Sequence, residues 1–162
     1  MEMMNKAHRM AEPKGYRRNG METGERRKKR WQVINRSGKL LHGRLTEQII
    51  GFCYEAYRQY GSGQKESVYQ NALEEKFSAK KILFKREAPI TVLSEDTGNR
   101  LGSHRLDFVI DEKVILEIKA IKFTPAKLEQ QLYSYLRNSP YKVGLMINFG
   151  SSRLFVRRVI LT

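Results

Sequence analysis

The chain has 162 residues, and 31 Lys and Arg against 17 Asp and Glu give it a formal charge of +14, a balance that favours polyanions, mainly nucleic acid, and fits a ribosome-like or membrane-surface bias equally well. Its single cysteine, Cys53, excludes an internal disulfide and a multi-cysteine zinc site. No stretch approaches the roughly 20 apolar residues that span a membrane, and the N-terminus lacks the apolar run of a secretory signal, so the cytoplasm is the expected compartment.

The basic excess is uneven. Residues 1–44 carry 13 basic against 4 acidic side chains, and residues 45–162 carry 18 against 13. The first segment is polar, rich in glycine and without a sustained apolar period, so it is expected to be a disordered basic extension. The run Arg26-Arg27-Lys28-Lys29-Arg30 would bind phosphates, with Trp31 able to stack on a base; the alternative is a solvated tail. Residues 45–162 are expected to form one domain.

Apolar residues recur at helical spacing from Leu45 to Tyr60, with Thr46 expected to cap the start and Gly61 to end the helix. Gly61-Ser62-Gly63 is a turn. A second helix is expected from Lys65 to Lys80, its apolar face formed by Val68, Tyr69, Ala72, Leu73 and Phe77. Glu66 stands at its start, where the helix dipole alone would favour an acid; it is also a candidate carboxylate directed toward the strands that follow. Residues 82–93 read as a strand that Pro89 marks as an edge or a bulge. Residues 94–99 form a turn. Thr124-Pro125 is expected to open a third helix carrying Leu128, Leu132, Tyr135 and Leu136 on its apolar face. Residues 141–149 and 153–161 read as two last strands, the first apolar enough to lie centrally.

The centre of the chain is LDFVIDEKVILEIK, residues 106–119. It reads as a β-hairpin with Leu106, Phe108 and Ile110 facing Ile118, Leu116 and Val114. That register sets Asp107 opposite Glu117 on the other face, with Lys119 two residues along and Arg105 beside Asp107. Opposed carboxylates repel, so a cation is expected between them, and a hard divalent metal suits oxygen ligands. The alternative is an ordinary mixed-charge face open to solvent.

Asp107 followed by Glu117-Ile118-Lys119 within a strand is the pattern of the PD-(D/E)XK nucleases. Gly63-x-x-Glu66-x-x-Tyr69 reproduces the string of the GxxExxY proteins, a family of that superfamily, and the resemblance extends over most of residues 45–162. Gln131 and Tyr135, four apart on the third helix, resemble the motif of the RecB-like branch. One departure is Ala56-Tyr57-Arg58, where Val-His-Arg is expected.

The resemblance implies an α/β fold with a restriction-endonuclease-like core, a mixed central β-sheet flanked by helices. It implies a Mg²⁺- or Mn²⁺-dependent nuclease acting on nucleic acid, DNA before RNA. Glu66, Asp107, Glu117 and the Ile118 carbonyl would hold the metal. Lys119 would orient water or neutralise charge, Gln131 would position water or substrate, and Tyr135 would support it. Tyr69 and Arg105 are further supporting candidates; Arg105, by its place on the Asp107 face, would either hold a phosphate or balance the carboxylates. A nuclease fold that binds nucleic acid without turnover is the rival, and a purely structural basic protein is a third possibility.

Overall fold

The computed structural model describes residues 40–161. The Arg26–Arg30 run, Trp31 and the rest of the expected extension up to residue 39 lie outside them. Three helices and five strands follow one another as α1 (Gly43–Tyr60), α2 (Glu66–Ala79), β1 (Phe84–Leu93), β2 (Arg100–Ile110), β3 (Val114–Lys119), α3 (Lys127–Arg137), β4 (Val143–Asn148) and β5 (Phe155–Ile160). Among the described residues no helix is long and apolar enough to cross a membrane.

The five strands form one sheet in sequence order. All neighbours are antiparallel except β3 and β4, which run parallel. A parallel pair needs a crossover, and α3 supplies it. This is the expected mixed α/β sheet. Pro89 lies in β1, an edge strand, where its missing amide costs no ladder bond on the open side.

The helices cover both faces. Ile49, Phe52, Cys53 and Ala56 of α1 and Tyr69, Leu73 and Phe77 of α2 bury a stripe against Phe108, Leu116, Ile118, Leu145 and Ile147. On the other face Leu132, Tyr135 and Leu136 of α3 join Val109, Ile115, Met146 and Val159. Gly144 lets α3 sit down on the sheet: a Cβ there would stand 2.8 Å from Leu132 Cδ1.

Two helix starts differ from expectation. His42, at φ 54°, precedes α1 without a side-chain cap. Thr46 is one turn inside, and its hydroxyl donates to the Gly43 carbonyl at 2.9 Å. Gly61 ends the helix as expected, at φ 68°, with its amide donating to Tyr57 O at 2.9 Å. α3 begins at Lys127, after Thr124-Pro125. Thr124 does not cap it; the hydroxyl accepts from Asn148 Nδ2 at 2.7 Å, which ties it to the end of β4 instead.

The hairpin register holds only near the turn. Ile110–Val114, Val109–Ile115 and Phe108–Leu116 pair, but the expected Leu106–Ile118 pair is absent from the ladder. Leu106 belongs to the α3-side cluster, whereas Phe108 belongs to the other. β1 changes faces at the same level: Phe84 packs on the α1/α2 side, Ala88 and Ile90 on the α3 side. Regular strands would keep these alternate residues on one face. The paired strands roll over at Glu87, whose φ is 50°, opposite Asp107, and neither residue is in the ladder.

Candidate active site

The roll frees Asp107 from the strand alternation and turns its carboxylate into the gap between β2 and β3. Oδ2 accepts the Ile118 amide at 2.6 Å. Oδ1 accepts from Gln70 Nε2 of α2 at 3.1 Å. Gln70 in turn accepts from Arg86, which also donates to Glu74 at 2.6 Å and Asn71 at 2.8 Å. Asp107 thus bridges α2 and β3, and it makes no ladder pair with Glu117. Burial raises its pKa, with the Ile118 amide and the Lys119 charge working the other way.

Glu117 is 6 % exposed at the end of β3. Burial and the neighbouring Asp107 charge push its carboxyl pKa up to about 7, against the opposing pull of Lys119. The Lys119 ammonium lies 2.8 Å from Glu117 Oε1, 3.0 Å from the Ile118 carbonyl oxygen and 4.0 Å from Glu66 Oε1. Burial works against that ammonium, but Glu117, Asp107 and Glu66 outweigh it and hold its pKa above the usual lysine value. Burial also raises the pKa of Glu66, at the start of α2, while Lys119 and the Ala120 amide oppose the rise.

Glu66 owes its place to the turn before α2. Tyr69 is wholly buried and stacks on Phe149 with ring centroids 4.1 Å apart. Its hydroxyl donates to Gly61 O at 2.7 Å and accepts the Gln64 amide at 3.2 Å. Gly63, between them, sits at φ 96°, where a side chain would be strained. The spacing Gly63, Glu66, Tyr69 therefore has a local reason: a turn, the acid it presents, and the phenol that clasps the turn.

On the other side of Glu117, Gln131 Nε2 donates to the Tyr135 hydroxyl at 2.6 Å. Burial raises the Tyr135 pKa, and the Glu117 charge adds to it, so the phenol belongs to the same field; Gln131 meets it through Tyr135. Arg105 is not brought to the carboxylates. Its side chain is 75 % exposed and faces Glu87 at 3.5 Å, because the strand roll carries it to the β1 side.

Asn148 escaped the sequence reading. It is fully buried at the end of β4. Its side chain donates to Ile121 O at 2.9 Å and Thr124 Oγ1 at 2.7 Å, and accepts from the Ile121 and Gly150 amides, both at 3.0 Å. It fastens the segment that leaves β3 just after Lys119. An amide closing the apolar run VGLMI, with glycine two residues on, was the available signal.

Among the described residues no three His, Cys, Asp or Glu side chains stand in a metal-holding arrangement. The donor chemistry nonetheless fits a hard cation. Glu117 Oε2 is buried without a hydrogen-bond partner, and three carboxylates here resist ionisation. A buried orphan acceptor is costly unless a charge or donor reaches it. Glu66, Glu117 and the Ile118 carbonyl already surround one positive charge, the Lys119 ammonium.

The family model of the PD-(D/E)XK nuclease superfamily matches residues 43–159. A search of curated proteins gave no match. Among solved structures, an alkaline exonuclease from Laribacter hongkongensis is similar at 6 % identity and a TM-score of 0.43, over 72 % of this chain and 69 % of that one.

Proposed function

Because the chain belongs to the PD-(D/E)XK nuclease superfamily, we propose that it hydrolyses phosphodiester bonds in nucleic acid with Mg²⁺ or Mn²⁺, and that DNA is its polymer. The observation that carries the proposal is the end of β3, where a buried carboxylate with an orphan oxygen lies against a lysine held charged. Asp107, Glu117 and Glu66, with the Ile118 carbonyl, would hold the metal. When bound, a divalent cation supplies Lewis acidity toward the phosphoryl oxygen and lowers the pKa of a water.

The remaining roles fall to the chain itself. Lys119 stays protonated at neutral pH, orients the attacking water and offsets charge building on the phosphate. Gln131, fixed by Tyr135, positions water or substrate. Tyr69 supports Glu66 through the turn it clasps. Arg105, away from the carboxylates, binds a backbone phosphate, and the Arg26–Arg30 run adds phosphate contacts by its charge.

The test is cleavage of labelled single-stranded DNA, duplex DNA and RNA in Mg²⁺, Mn²⁺ or EDTA. Lys119→Ala is expected to lower the rate by about 10²-fold or more while keeping the native circular dichroism. Undiminished, metal-dependent cutting by folded Lys119→Ala would overturn the assignment. The position of the Lys119 ammonium among the proposed ligands favours the rival, a nuclease fold without turnover. Salt-sensitive binding with no cutting in any metal would establish that rival.

A further inference from the structure

Phe123 is 78 % exposed, the most exposed large apolar side chain among the described residues. Single exposed apolar residues are common on protein surfaces and need no explanation by themselves. Phe123 differs in where it is and how it is held. It lies four residues after Lys119, so its Cα is within about 14 Å of that of Lys119. The segment carrying it is fastened at both ends of the turn. Phe149 N donates to Lys119 O at 2.7 Å, and buried Asn148 holds Ile121 and Thr124. Gly150 lies so close beneath that a Cβ would stand 2.4 Å from Ile121 N. The Lys122 ammonium is 5.8 Å from the Phe123 ring centroid, which adds a positive charge beside the ring.

An aromatic ring offered to solvent on a braced loop, next to a cation and a few nucleotide lengths from the carboxylates, is suited to a flat, uncharged group on an anionic chain. Resting on the nuclease reading above, we propose that Phe123 is a stacking platform for an unpaired nucleobase near the scissile phosphate. The favoured substrate is then a single strand, or a strand with an unpaired end. Within a duplex both faces of a base are covered by its neighbours, so a lone ring finds nothing to stack on; an unpaired base offers a free face. The loop's order matters because the ring loses little freedom when the base arrives.

The test uses full-length Lys119→Ala protein, so that the probes stay intact, and fluorescein-labelled single-stranded and duplex DNA of one sequence. Phe123→Ala is expected to weaken single-strand binding about 5- to 100-fold and to leave duplex binding within about twofold. Phe123→Trp should restore single-strand affinity. With Trp31→Phe also present, the introduced indole is the only one in the chain. Its fluorescence should be quenched by the single strand and not by the duplex. Equal losses on both probes, or no loss on either, would overturn the stacking role while metal-dependent cutting by the wild type left the nuclease reading standing. Failure of the parent protein to bind either probe, with no cutting by wild type, would overturn both.

Discussion

At the residue scale, Glu117 is held partly protonated near neutrality by burial and by Asp107. The sign of the consequence follows from linkage. Its folded pKa, about 7, lies above its ordinary value of 4.5, so the native state holds a proton the unfolded chain gives up. The stability it contributes is full below about pH 4.5 and is lost as pH rises through about 7. In protein stripped of metal by a chelator, the stability gap between wild type and Glu117→Gln should therefore shift against wild type between pH 5 and pH 8. The shift is on the order of 3 kcal/mol as a ceiling. Paired melting curves across that range check it, and a constant gap would refute it. Asp107, Glu117 and Lys119 were legible because charges stood out inside apolar alternation. The turning of Asp107 toward Gln70 and Ile118 was not, because it depends on a positive φ at Glu87, a residue type that gives no warning of one.

At the scale of elements, the site hangs on how β3 is left and how α3 is reached. Asn148 satisfies four polar groups with one side chain. Asn148→Ala removes both donors and the acceptor and leaves the Ile121 and Gly150 amides wanting, at a cost of about 2–5 kcal/mol. Thermal unfolding should show that loss, and cleavage should fall further than the loss of folded protein explains, because the Lys119 end of β3 is released. A variant as stable as wild type would show that the hub is dispensable. Both early helices were readable from their apolar stripes, and the first also from its glycine stop, since these are local signals. The start of α3 was misplaced for the opposite reason: Thr124 is claimed by a residue 24 positions away, and no local rule sees that.

At the scale of the whole molecule, charge and topology matter most. If the run Arg26–Arg30 adds phosphate contacts, replacing all five residues by alanine should flatten the dependence of log affinity on log salt by as much as about 4, with kcat unchanged. An unaltered slope would remove the run from the binding surface. The mixed sheet was legible as a class, because helices and apolar runs alternate along the chain. The strand order emerged only in three dimensions.

The parallel pairing of β3 with β4 has a further consequence, in time. β2 adjoins β3 along the chain, so one edge of the carboxylate strand closes almost as soon as it is made. The other edge waits for Val143, beyond the whole of α3. A chain emerging from the ribosome carries Asp107, Glu117 and Lys119 long before it carries Asn148. The carboxylates and their lysine are thus synthesised before the strand and the amide that hold them. The fold makes assembly of the site wait until α3 and β4 have followed β3 out.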